Sequence, residues 1–254
     1  MRIMLDHTLL HRGNLLLVNA QHPLKDRTID DLTVLTSYFP GIRMRREAAF
    51  SLRRILTRLL ARNVILPVSG YRTLAEQTRI YRDSLRDHDS EFTSQFVALP
   101  GHSEHETGLA IDLALRQEAI DFIRPYFPYD GLCGDFRKLA PDFGWIERYP
   151  QDKEAITGIA HEPWHFRYVG YPHARIMKER RLTLEEYISF LQSYTEDRRL
   201  LYSPSPHASF EIYWISVPAQ KTVLQISDPA SYQISGDNTG GLIVTIWREP
   251  HVFH

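Results

Sequence analysis

Ser103-Glu104-His105-Glu106-Thr107-Gly108-Leu109-Ala110-Ile111-Asp112-Leu113-Ala114-Leu115 carries two patterns on one stretch of chain. From Gly108 onward the large apolar residues Leu109, Ile111, Leu113 and Leu115 alternate with Ala110, Asp112 and Ala114. That period of two predicts a β-strand with one face in a core. The other face presents a single carboxylate between two alanines, which leaves room for a metal ion and a substrate. His105 adds an imidazole just upstream. Either residue alone reads as a turn or surface group, and twelve histidines in 254 residues guarantee several such.

A second run, Glu162-Pro163-Trp164-His165, supplies the groups the first lacks. A catalytic zinc takes three protein ligands and keeps a fourth position for water. His105, Asp112 and His165 can fill that requirement, and Glu162 is a carboxylate placed to take a proton from the water. His161 to His165 also satisfies H-E-x-x-H, the pattern of two zinc histidines on one helix face. Pro163 argues against that reading, because a mid-helix proline loses a hydrogen bond, clashes with the preceding turn and pushes Glu162 out of the α region. Trp164, Phe166, Tyr168 and Val169 are strand formers, so the run reads as extended, with His161 off the metal. In a regular strand Glu162 and His165 would face opposite sides. The reading therefore requires an irregularity at Pro163, such as a bulge.

A third run, Ser69-Gly70-Tyr71-Arg72, ends a short apolar segment with a cation. The three runs together resemble the zinc D,D-peptidases of the VanX and VanY type, which cleave D-alanyl-D-alanine termini in cell-wall metabolism. The S-x-H-x-x-G-x-A-x-D, E-x-W-H and S-G-Y-R runs of that family occur here in the same order, and the similarity extends from about Asn14 to about Tyr171. The resemblance implies that His105, Asp112 and His165 bind Zn2+, that Glu162 is the catalytic base and acid, and that Arg72 stabilises the oxyanion. A fixed guanidinium aimed at developing negative charge is a recognised electrostatic stabiliser. It further implies that Gln77 and Ser103 hold the terminal residue of the substrate or its carboxylate.

The formal net charge is −1 and the basic residues are dispersed, so nothing marks a nucleic-acid partner. The single cysteine, Cys133, cannot form an intramolecular disulfide, which fits a reducing compartment. Asp6, His7, His11, Arg12 and Asn14 interrupt the apolar residues near the start before a secretory core can form, and no run approaches the length of a membrane span. A cytoplasmic location is the expectation. There such an enzyme meets free D-Ala-D-Ala and the nucleotide-linked pentapeptide precursor, so the bifunctional VanXY branch of vancomycin-resistance enzymes is the favoured resemblance. The alternatives are a single-specificity carboxypeptidase, a wall endopeptidase and, from the zinc-site likeness of hedgehog-type signalling domains, a non-catalytic binding module.

The remaining patterns predict an α+β fold, a mainly antiparallel sheet with the zinc residues at one end and helices covering it. Strands are expected at Leu15 to Asn19 and Val64 to Val68. Helices are expected over about 44–62, from a capping box at Thr73 and Glu76 to about Arg86, near 117–124, and over about 173–181 and 184–195. Residues 87–104 read as a polar loop. Ser203-Pro204-Ser205-Pro206 reads as a linker dividing a catalytic domain, 1–203, from a β-rich appendage, 204–254. Phe210, Ile212, Trp214 and Ile215, then Val223, Leu224 and Ile226, then Leu242 to Trp247 predict three to four strands there. At about 50 residues that appendage is small for independent folding and is expected to dock on the catalytic domain or on a second copy in a homodimer.

Overall fold

The computed structural model describes residues 2–5, 7–217, 222–225 and 231–248, with the backbone alone at 2–5 and 222–225. Chain order begins with β1 (Arg2–Leu5), β2 (Leu32–Thr36), β3 (Phe39–Arg45), α1 (Arg46–Arg58), β4 (Ile65–Ser69), α2 (Leu74–Asp87) and α3 (Ser90–Phe96). It continues through β5 (Ala110–Leu115), α4 (Gly131–Leu139), β6 (Trp145–Tyr149), α5 (Glu154–Thr157), β7 (Glu162–Tyr168) and α6 (His173–Arg180). The last elements are α7 (Leu184–Leu191), β8 (Leu200–Ser205), β9 (Ala208–Ser216), β10 (Thr222–Gln225), β11 (Tyr232–Gly236) and β12 (Gly241–Arg248). Every strand pair is antiparallel, so the fold class is α+β.

Two compact units divide the chain, Val18–Thr183 and Met1–Leu17 with Leu184–His254. The first is organised on a four-stranded sheet in the order β4-β5-β7-β6. Ile111 and Leu113 send one face of β5 into a core with Ile65, Phe127, Phe136, Trp145 and Phe166, which Leu109, just before the strand, also joins. Ala48, Ala49, Leu52, Ile55 and Leu56 of α1 close that core, as their helical spacing predicts. The opposite face of β5 carries Ala110, Asp112 and Ala114, also buried, so the polar face of this strand is enclosed rather than wet.

The second unit carries a four-stranded sheet, β11-β12-β9-β8, and a separate β1–β10 ladder. Its extent departs from the expected division at 203. The N-terminal segment belongs to it because Gly236 donates to the Arg12 carbonyl, Asn238 to that of Leu10 and Leu17 to that of Asp237. The supposed linker is structured too: Ser203, Pro204 and Ser205 end β8, an edge strand, where a proline with no N–H is tolerated. Ile226, placed in a tail strand from its pattern, lies outside the described residues.

Three local expectations are corrected. Leu15 to Asn19 is not a strand. Leu15, Leu16, Leu17 and Val18 are buried, but the backbone there makes turn and loop bonds, including Leu15 N–H to Ser235 Oγ at 2.8 Å. No helix forms near 117–124, where Asp121 Oδ1 instead accepts from the N–H groups of Ile123 and Arg124. The polar stretch after α2 contains α3, whose N-cap Asp89 accepts from Phe92 N–H at 2.7 Å.

Candidate active site

Strand register assembles the site. Asp112 on β5 lies opposite Ser69 on β4 and opposite His165 on β7, so the three residues form one row across the sheet. His105 reaches the row from a short 3-10 turn, Glu104–Thr107, which ends at Gly108 in the left-handed region (φ 71°). A side chain at Gly108 would press on Leu32 and on the Arg45 backbone as well. His105 Nδ1 lies 2.8 Å from the Gly70 carbonyl, which can only accept, so this nitrogen carries the proton and Nε2 presents a lone pair. Gly70 has no room for a Cβ, which would meet the Arg43 carbonyl at 2.5 Å.

His105, Asp112 and His165 each offer one ligand atom, all within 4.8 Å of one another and all buried. His105 Nε2 is 3.1 Å from Asp112 Oδ2, and His165 Nδ1 is 2.8 Å from Asp112 Oδ1. Two imidazoles and a carboxylate at that spacing fit a divalent metal of the zinc kind. Burial and the nearby Arg72 push His105 down to about 4, which keeps it the neutral ring a metal requires. Burial works against ionising Asp112, but His105 and His165 hold its carboxyl well below the usual range. Burial also opposes charge on His165, yet its hydrogen bond to Asp112 and the nearby carboxylates of Glu104, Asp112 and Glu162 raise it to about 9.

The irregularity required at Pro163 is present. Glu147 pairs with Phe166 while Tyr149 pairs with Glu162, so two steps along β6 match four along β7. This bulge in β7 puts Glu162 on the His165 side, with its Oε2 3.7 Å from His165 Nδ1. Burial is the main cause that raises the Glu162 carboxyl to about 8; His165 and Arg72 oppose the rise, and Asp112 adds to it. A buried carboxyl poised near neutrality suits proton transfer.

Arg72 follows β4 and is held at each guanidinium nitrogen: Nε donates to Ser69 Oγ at 2.8 Å, Nη1 to Gln77 Oε1 at 3.3 Å and Nη2 to Asp112 Oδ2 at 3.0 Å. Gln77, from the first turn of α2, is fully buried and also donates to the Ala98 carbonyl at 2.8 Å. Ser103 is buried at the start of the 3-10 turn. Arg72, Gln77, Ser103, His105, Asp112, Glu162 and His165 all line one pocket, with Phe96, Phe122 and Tyr149 among its walls. His161 is not in the ligand group; its Nε2 lies 2.6 Å from Tyr129 Oη.

Sequence reading missed Ser69 as an Arg72 anchor and Tyr149, whose ring lies 4.9 Å from that of His165. Ser69 sat inside a quoted run but its role needs the β4–β5 register. Tyr149 has no motif, and only the β6–β7 pairing brings it in.

A buried His-Asp-His group able to hold a metal, beside a buried carboxyl and a guanidinium fixed by three hydrogen bonds, is the arrangement of a metallopeptidase-type hydrolase site. A family model described as VanY, D-alanyl-D-alanine carboxypeptidase, matches residues 41–171, and the chain belongs to that family. The bifunctional D-Ala-D-Ala dipeptidase and D-Ala-D-Ala carboxypeptidase VanXYC of Enterococcus gallinarum is 42% identical over 181 residues, covering 70% of this chain and 95% of that protein. A D-alanyl-D-alanine carboxypeptidase of Enterococcus faecium is 30% identical over 94% of this chain and 76% of its own length. The crystal structure of the vancomycin-resistance D,D-dipeptidase VanXYg with a D-Ala-D-Ala phosphinate analog has a TM-score of 0.96 at 52% identity, covering 98% of this chain and 99% of that one.

Proposed function

We propose that this protein is a zinc-dependent D,D-dipeptidase and D,D-carboxypeptidase that hydrolyses D-Ala-D-Ala and removes the terminal D-alanine of the cytoplasmic, nucleotide-linked pentapeptide precursor. Loss of those termini would remove the target of glycopeptide antibiotics and so contribute to vancomycin resistance. The observation that carries the reading is the convergence of His105, Asp112 and His165 with Glu162 and Arg72 in one pocket. Supporting it are the family membership and the dual activity in the name of the Enterococcus gallinarum relative.

His105, Asp112 and His165 would hold zinc, which when bound supplies Lewis acidity toward the scissile carbonyl and the attacking water. Glu162 takes the proton that the water loses and returns it to the leaving amine of the terminal D-alanine. Arg72, locked by Ser69 and Gln77, presents its cation toward the oxygen that gains charge. Ser103, in the pocket lining, would hold the terminal residue or its carboxylate, and Gln77, whose amide serves Arg72 and the Ala98 carbonyl, would act by holding Arg72.

The test is D-alanine release by zinc-loaded protein from D-Ala-D-Ala and from the nucleotide-linked pentapeptide, with Glu162→Ala as the control. Release from both, abolished in the variant while zinc stays bound at one equivalent, is the expected result. Release from neither would reject the reading, and unchanged turnover in the variant would reject Glu162 as the base.

A further inference from the structure

Glu104 precedes His105 in sequence and stands behind His165 in space. Its carboxylate is fully buried, and Oε1 accepts both Arg148 Nε at 2.9 Å and Arg167 Nη1 at 2.7 Å, from guanidiniums that are themselves fully buried. Oε2 is aimed elsewhere. It faces His165 Nε2 at 3.7 Å, and those two buried atoms are without a hydrogen-bond partner. The opposite ring nitrogen, Nδ1, points to Asp112 and Glu162 on the pocket side.

We propose that Glu104 is the positioning residue of the metal centre: Oε2 takes the Nε2–H of His165, which fixes the ring plane and leaves the Nδ1 lone pair to the metal. This rests on the assignment of His105, Asp112 and His165 as ligands. A neutral imidazole carries one N–H, and an ionised carboxylate can only accept, so a carboxylate at one edge of the ring dictates which nitrogen is free. Two guanidiniums on Oε1 keep that carboxylate anionic and immobile. Closing the 3.7 Å gap to hydrogen-bond length requires about 0.8 Å of movement.

Symmetry in the ligand set strengthens the argument. His105 already has its second nitrogen committed to the Gly70 carbonyl, the arrangement by which a ligand histidine is oriented from behind. His165 has Glu104 in the corresponding place. Were the Glu104 cluster only a tie between β6 and β7, both carboxylate oxygens would serve the two arginines; instead both arginines crowd one oxygen and the other is left toward the ring. The ring's face is fixed as well, since Tyr149 lies against His165 and Arg148 lies over Tyr149 at 4.9 Å.

The experiment measures zinc affinity by chelator competition on the full chain, with circular dichroism and thermal melting of the metal-free protein. Glu104→Gln is expected to bind zinc ten- to hundredfold more weakly than the parent. Because a buried arginine pair without its carboxylate can prevent folding, Glu104→Gln is also made together with Arg148→Met, which removes one charge of each sign and leaves the net charge of the cluster unchanged. That double variant should show the same loss relative to Arg148→Met alone, which is its matched background. Glu104 variants that bind zinc within threefold of their matched background overturn the proposal, even if they melt lower. In the zinc-loaded parent, long-range nitrogen-15 spectra of His165 should show a protonated Nε2 with a hydrogen-bonded proton, and metal at Nε2 would equally overturn it. Failure of the ligand assignment reads differently: His165→Ala would then leave zinc binding intact.

Discussion

Arg72 has three fixed partners and one charge, and its chemistry depends on the fork rather than on the charge alone. Lysine would keep the cation but could not span Ser69, Gln77 and Asp112 together. Arg72→Lys should therefore lose about 3 kcal/mol of transition-state stabilisation, a fall of 100-fold or more in kcat at unchanged zinc content. Steady-state kinetics on D-Ala-D-Ala check this, and a loss under threefold would remove Arg72 from the chemistry. His173 is a second residue with a measurable consequence. Burial lowers it to about 3 from an ordinary value of 6.5, so the folded protein holds it neutral. The unfolded chain takes the proton first as pH falls, so this contribution is complete above about pH 6.5 and is lost progressively toward pH 3. Between pH 7 and pH 5 the loss is about 2 kcal/mol, and His173→Gln should show that much less pH dependence in urea denaturation. The motif residues were legible because their chemistry is local to three runs. His173, Ser69 and Tyr149 were not, because each acquires its meaning from partners brought by the fold.

At the scale of elements, α2 links local sequence to the site. Thr73 Oγ1 accepts from Glu76 N–H at 3.2 Å and Glu76 Oε2 accepts from Thr73 N–H at 2.7 Å, the reciprocal capping box that the four-residue pattern predicts. Gln77 follows immediately and braces Arg72, so the cap secures a functional turn. Thr73→Ala should cost about 1 kcal/mol in urea denaturation. It should also lower kcat more than it raises KM, since fraying loosens Arg72 rather than removing a substrate contact. No stability change would show that tertiary packing alone holds this turn. The β7 bulge was legible as a necessity, because Glu162 and His165 could not otherwise share a side, but its extent depends on pairing with β6. The helix expected near 117–124 fails for an opposite reason: a local competitor, the Asp121 side chain, takes up backbone donors that a helix would use.

Over the whole molecule, the candidate site residues all fall inside Val18–Thr183, while the second unit brings an N-terminal segment together with the C-terminal strands. Composition marked the C-terminal part as distinct, yet no pattern in the sequence tied it to residues near the start, because the backbone bonds and the side-chain bonds of that tie, such as Leu15 N–H to Ser235 Oγ and His11 Nδ1 with Asn238 Oδ1, join residues more than 200 apart that no local pattern pairs. Gly236 is where the tie is tightest. A Cβ there would lie 2.2 Å from the Leu10 carbonyl oxygen and 2.3 Å from that of Leu9, and these are backbone atoms that cannot turn aside. Its N–H donates to the Arg12 carbonyl at 2.7 Å, so relieving the clash also breaks that bond. Gly236→Ala should cost about 2 kcal/mol or more by the overpacking route. If the two units are separate in stability, the cost falls unevenly. Native-state hydrogen exchange should show lost protection at β9, β11 and β12 with β5 and β7 unaffected, and D-alanine release should persist. Equal loss at β5 and β7 would mean that the ends of the chain and the catalytic sheet unfold together, and that the second unit is part of what keeps the site assembled.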